Sequence, residues 1–172
     1  KNLKNSILIA PTWGDHGLSS KIKVLDQKIW PKVYEVTFRP HPMNVGKFTN
    51  INLNNLKLDL NLDLDLIELA SYKYLITDCS GIALEYYFLT GRPCIFINTP
   101  KKIKRKISRQ ESEINFIEDV MKKKIGKEIE IDEIKSFLQN IELENFNLDE
   151  KFIAELCIYK NVGDNIKNFD FK

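Results

Sequence analysis

Three short segments combine residue types that can hold and activate a phosphate. The first is Thr77-Asp78-Cys79-Ser80-Gly81, set between the aliphatic run Tyr74-Leu75-Ile76 and a helical stretch from Ile82 to Leu89. In an open parallel sheet, ligands bind beyond the carboxyl ends of the strands. A helix that starts there offers unpaired N–H groups and a partial positive charge, which suit an anion. Ser80 adds a hydroxyl donor, and Gly81 lets an anion approach the backbone with no Cβ in the way. The same spacing also fits a plain helix cap, made by Asp78 or Ser80. The second segment is Arg39-Pro40-His41-Pro42. Two prolines fix the backbone around one histidine, so its ring is aimed, and an aimed imidazole can donate to a phosphate or move a proton. The alternative is a turn histidine packed against its own loop. The third is Ala10-Pro11-Thr12-Trp13-Gly14, where Thr12 and the Gly14 amide are able to line the same cleft and Trp13 reads as a packing residue.

Each segment follows a run that reads as a strand. Residues 6–10 are aliphatic and closed by Pro11, the pattern of a strand buried on both faces. Residues 33–38 are rich in β-branched and aromatic side chains, residues 74–77 form a third strand and residues 94–97 a fourth. Ser19 or Ser20 is placed to cap a helix reaching towards Trp30, with Ile22, Leu25 and Ile29 at helical spacing. Leu58, Leu60, Leu62, Leu64 and Leu66 recur with period two, which predicts a strand in part of that stretch, followed by a short helix around 66–71. Gly91 fits the C-terminal stop of the helix from Ile82. Beyond Pro100 come a basic run over 101–109, a helical stretch over 111–124, a last strand near 128–131, and helices capped by Asp132 and by Asp149. Strands alternating with helices predict an α/β domain with a Rossmann-like parallel sheet flanked by helices. All 172 residues read as one domain, helical from about residue 101.

Composition narrows the function classes. Hydrophobic content of 43% and charged content of 29% are those of a globular chain. Twenty-six Lys and Arg against 24 Asp and Glu leave a formal +2, so no whole-domain basic field favours nucleic acid. No apolar run reaches the length of a membrane span and no signal peptide is visible. Three cysteines, Cys79, Cys94 and Cys157, make poor disulfide and zinc arithmetic, and two histidines put a multi-His metal site out of reach. The expectation is a cytoplasmic protein with no metal and no cofactor. The basic run reads as a solvated loop, with peripheral contact to anionic lipid at the inner face of the membrane as the alternative. The chain opens at Lys1, which reads as a piece of something longer.

The segments together resemble the CDP-glycerol glycerophosphotransferases of teichoic-acid and capsule synthesis. The resemblance rests on Ile7-Leu-Ile-Ala-Pro-Thr-Trp13, Arg39-Pro-His-Pro42, Leu75-Ile-Thr-Asp-Cys-Ser-Gly-Ile-Ala-Leu-Glu-Tyr86 and Gly91-Arg-Pro-Cys-Ile-Phe96, in order and spacing over about residues 6–100. It implies one lobe, the C-terminal donor-binding one, of a two-lobed GT-B fold whose N-terminal lobe lies outside this chain. It also implies a transferase moving glycerol phosphate from CDP-glycerol to a polymer acceptor on a lipid carrier. By this resemblance His41 is the catalytic residue facing the donor pyrophosphate. Ser80 and Gly81 fall on the family's paired serines at the helix start, and Cys79 replaces the usual aromatic. Thr12, Arg39, Thr77 and Asp78 join them as nucleotide or phosphate ligands, and Glu85 matches an acidic position able to take a ribose hydroxyl. Two other readings stay open: a nucleotide-sugar-dependent GT-B glycosyltransferase lobe, and a non-catalytic interaction module.

Overall fold

The structure is a computed structural model that describes residues 4–15, 17–28, 30–100, 122–144, 146 and 148. Six strands form one sheet: β1 (Lys4–Ile9), β2 (Glu35–Phe38), β3 (Lys57–Leu58), β4 (Tyr72–Thr77), β5 (Cys94–Ile97) and β6 (Gly126–Ile129). Every pairing is parallel and the order is β3-β2-β1-β4-β5-β6, the doubly wound order of a Rossmann sheet. The four strands read from the sequence are therefore neighbours in the order β2-β1-β4-β5. Among the described residues, besides a helical turn at 122–124, the sheet is accompanied by α1 (Ile22–Gln27), α2 (Leu66–Ser71), α3 (Ile82–Thr90) and α4 (Ile134–Gln139).

Alternation along the strands builds two cores, one on each face. Ile7 and Ile9 of β1 join Phe38, Ile76 and Ile95 under Leu25 of α1 and Phe137 of α4. Leu8 and Ala10 face the other way, packing with Leu75, Cys94 and Phe96 against Leu69 of α2 and Ala83, Tyr86 and Tyr87 of α3. A strand covered on both sides needs apolar residues at every position, which is why the 7–9 half of β1 and all of β5 read as continuous apolar runs.

Several elements differ from the sequence expectation, each for a local reason. Only Lys57–Leu58 of the period-two leucine stretch pairs as a strand, because the following backbone wraps a guanidinium instead of a neighbouring strand. Helix α1 ends at Gln27, where Lys28 turns extended with ψ 145°. Neither serine caps it: Ser19 donates to the Thr12 carbonyl and Ser20 to the Gly17 carbonyl, and a 3-10 turn over Leu18–Lys21 leads in. β2 begins at Glu35, since Val33 lies in an exposed turn. β6 falls two residues earlier than expected, and the turn before α4 is closed by a Glu130–Glu133 capping box rather than by Asp132. The helical expectation at 111–124 is described only at Lys122–Lys124, which are helical. The basic run at 101–109, the helix capped by Asp149, Ile29 and Cys157 lie outside the described residues.

Burial also sets how the fold responds to alkali. Desolvation raises the pKa of Tyr86 and of Tyr74, and for Tyr74 the hydrogen bond to Glu142 adds to the shift. The Tyr86 hydroxyl donates to the carbonyls of Tyr72 and Lys73. Folding therefore favours the protonated phenol. This contribution is complete below the ordinary tyrosine value of 10.0 and is lost as pH rises above it towards the folded-state pKa. We expect thermal stability to fall from about pH 10 upward, with tyrosinate absorbance appearing together with unfolding. Titration of all tyrosines near 10 in the still-folded chain would contradict this.

Candidate functional site at the switch point of the sheet

The sheet order reverses direction between β1 and β4, and the crevice beyond their carboxyl ends is where doubly wound sheets take ligands. All three segments singled out above converge there. The chain leaves β1 into 10–17, β2 into 39–47 and β4 into 78–81. With strands about 5 Å apart, the ends of β2 and β4 stand roughly 10 Å from each other across β1.

Hydrogen bonds lock these segments into a continuous wall. Asp78 is wholly buried, and its carboxylate accepts from the Thr12 amide at 2.7 Å and the Leu18 amide at 2.8 Å. That clamp joins the β4 end to the β1 loop. Gly17 has no side chain because a Cβ there would stand 2.6 Å from Asp78 Oδ2. On the other side, the buried Asn44 donates from Nδ2 to the Gly14 carbonyl at 3.4 Å, and Lys47 pairs with Asp15. Thr77 donates to the Ala10 carbonyl at 2.6 Å and is fully buried.

These contacts divide the expected ligands into two groups. Thr77 and Asp78 are committed to the framework, and so is Arg39. Its guanidinium is buried, donating to Asp59 Oδ2 at 2.6 Å, to the Asn61 carbonyl at 2.9 Å and to the Asp63 carbonyl. The expectation of Arg39 as a phosphate ligand is thus replaced by a structural role. The loop 59–63 turns one carboxylate and two carbonyls inward, and the arginine is the cation they surround. Asp78 likewise does not cap α3, whose N-cap Gly81 carries no side-chain cap bond.

In the second group, the start of α3 and the Thr12 hydroxyl keep donors open to a ligand. Among the described residues the amides of Ser80, Gly81 and Ile82 have no hydrogen-bond partner, and neither do the hydroxyls of Ser80 and Thr12. Gly81 is exposed in right-handed helical geometry at φ −59°, with nothing within 4 Å of a Cβ built on it. His41 caps the 3-10 helix Pro42–Lys47, its Nδ1 accepting from the Met43 amide at 3.2 Å. With Nδ1 an acceptor, the neutral ring carries its proton on Nε2. Glu85 is exposed in the first turn of α3. Among the described residues no group of three His, Cys, Asp or Glu is placed to hold a metal.

No family model, curated protein or solved structure matches this chain. The site is therefore read from its own chemistry. The fold itself is a Rossmann-like α/β arrangement with the sites of interest at its switch point. Among the described residues no helix is long and apolar enough to cross a membrane.

Sequence reasoning missed three residues of the framework. Asn44 and Gly17 carry no motif signal, because their roles depend on partners 30 and 61 positions away in the chain. Asp26 is buried in α1, where its carboxylate accepts from the amides of Asn54, Asn55 and Leu56. The thiols also separate by environment. Cys94 is buried, donates to the Ala83 carbonyl at 3.4 Å and has its pKa raised by desolvation. Cys79 is half-buried beside Lys122. Burial opposes the Lys122 charge, but its 2.7 Å bond to Glu128 and the contact with Cys79 outweigh that and raise its pKa.

Proposed function

We propose that this chain is the donor-binding lobe of a two-lobed GT-B transferase that moves glycerol phosphate from CDP-glycerol to a surface-polymer acceptor of the teichoic-acid or capsule type. The observation that carries the reading is the set of neutral donors at the switch point: three amides at the start of α3 that have no partner among the described residues, together with the hydroxyls of Ser80 and Thr12. Such a cradle suits a pyrophosphate. The residues that build it are those of the family resemblance, with Gly81 in place of a second serine. In this reading the pyrophosphate lies on Ser80 and Gly81. His41 donates from Nε2 to the leaving nucleoside monophosphate as charge develops on it, and Glu85 takes a ribose hydroxyl. The acceptor and its lipid carrier approach from the other lobe. The reaction takes place in the cytoplasm at the inner face of the membrane.

Calorimetric titration with CDP-glycerol, UDP-sugars and CMP tests the reading and separates it from a nucleotide-sugar transferase. Ser80→Ala is expected to weaken donor binding by about 1 kcal/mol, the scale of one hydrogen bond, with unchanged circular dichroism. His41→Ala lowers affinity modestly and, in the two-lobed enzyme, mainly depresses the rate. The isolated chain binds donor with little or no turnover, since one lobe supplies half of the reacting centre. Absence of any nucleotide binding would favour a non-catalytic module.

A further inference from the structure

Among the described residues Lys122 is the one buried lysine, 7% exposed, and it lies where the chain leads into β6. A lysine is rarely taken out of water unless its charge is matched. The structure turns a carboxylate and a sulfur towards it. Its ammonium donates to Glu128 Oε1 at 2.7 Å and to the thiol of Cys79, on the turn that leaves β4. Glu128 by itself would make a structural ion pair. Cys79 adds a nucleophilic sulfur, half-buried and so reachable by small solutes, within hydrogen-bonding distance of a nitrogen nucleophile. Cys94 is built differently: it is buried, it donates to the Ala83 carbonyl, and desolvation holds it protonated. Separate stretches of chain thus bring a thiol, an amine and a carboxylate into one cluster, which the transferase reading does not use.

We infer that Cys79 and Lys122 form an oxidation switch: a hydroperoxide converts Cys79 to a sulfenic acid, and the Lys122 amine closes on that sulfur as a sulfenamide. In the first step the thiolate attacks one peroxide oxygen and the O–O bond breaks. Sulfur is oxidised, the peroxide is reduced, and the other oxygen leaves with a proton from solvent as water or an alcohol. In the second step the Lys122 ammonium gives a proton to Glu128, its nitrogen bonds to sulfur, and the S–O bond breaks. The departing hydroxide takes a second proton from that nitrogen and leaves as water, and Glu128 returns its proton to solvent. The charges favour this order. Burial is the largest influence on Lys122 and opposes its charge, but the bonds to Glu128 and Cys79 outweigh it. The ammonium in turn supports the thiolate, the form that attacks peroxide. Once the sulfur is a neutral sulfenic acid its support is withdrawn, and burial shifts Lys122 towards the neutral amine. The S–N bond ties the turn between Asp78 and Ser80 to the chain entering β6, whatever ligand the crevice takes.

Treatment of the whole chain with hydrogen peroxide at neutral pH, followed by peptide mapping in a mass spectrometer, tests this. The expected product is a Cys79–Lys122 cross-link, lighter than the untreated chain by two hydrogens and reversed by dithiothreitol. Lys122→Arg keeps a cation beside Glu128 but has no amine able to attack. It should leave Cys79 as a sulfenic acid that dimedone traps, with no cross-link. Lys122→Met removes the cation and should slow dimedone labelling of Cys79 by about threefold or more, with circular dichroism unchanged. Where that variant does not fold, Lys122→Arg decides. Oxidation of Cys79 no faster than that of Cys94 overturns the switch. So does a disulfide from Cys79 to Cys157 in place of the cross-link, or a Cys79 sulfinic acid beside an unmodified Lys122.

Discussion

Arg39→Ala is expected to destabilise the domain by about 3–5 kcal/mol, a large part of the total stability of a domain this size. The substitution leaves the Asp59 carboxylate, only 11% exposed, without the guanidinium that pairs with it. It also leaves the inward-turned carbonyls of Asn61 and Asp63 without their donor. Breaking a buried pair costs more than the pair contributes, because the surviving charge stays desolvated. A thermal melt reads the effect as a drop of roughly 10 °C. The double variant Arg39→Met with Asp59→Leu should recover part of the loss, since it removes the stranded charge as well. An exposed phosphate ligand would behave the other way, with an unchanged melt and weakened nucleotide binding. That outcome would restore Arg39 to the binding site.

Asp78→Ala should cost about 2–5 kcal/mol and open the crevice at the same time. Two buried or half-buried amides, those of Thr12 and Leu18, lose the carboxylate that accepts from them, and each stranded donor costs about 1–3 kcal/mol. The loop 12–18 is then released from β4, so the Thr12 and Ser80 hydroxyls no longer share one wall. Gly17→Ala reaches the same clamp from the opposite side by driving a Cβ to 2.6 Å from Asp78 Oδ2. Both variants are measured by chemical denaturation, with hydrogen exchange at Thr12 and Leu18 as the local readout. Wild-type protection of those two amides in Asp78→Ala would show that the carboxylate is not what holds the loop.

The two substitutions mark where local sequence ran out. β1, β4 and β5 were legible because a strand covered on both faces must be apolar at nearly every position. The turn from Thr77 to Gly81 was legible as a strand-to-helix junction for a similar reason, since its small polar residues interrupt two apolar stretches. Alternation of such elements was enough for a parallel α/β sheet, and a parallel sheet places all strand ends on one side. Thr12, His41 and Ser80, each just past a strand end, therefore lie at one edge of the sheet. The leucine stretch 58–66 misled, because period two records only that leucines alternate with polar residues. The stretch serves Arg39 instead, through the Asp59 carboxylate and the carbonyls of Asn61 and Asp63, and that arginine belongs to another strand end.

What only the tertiary structure decided is which polar side chains the protein uses for itself. Arg39, Thr77 and Asp78 have the residue types of phosphate ligands, and their neighbours in sequence gave no sign that they are engaged. Their partners, Asp59, Ala10 and Thr12, lie 20, 67 and 66 positions away. A buried polar group must be satisfied, so folding assigns its hydrogen bonds before any ligand arrives. Among the described residues the amides of Ser80 and Gly81 stay unassigned, because the first amides of a helix have no partner within it. The order of elements thus determined where a ligand would meet this fold, and long-range hydrogen bonding determined which atoms remain to meet it.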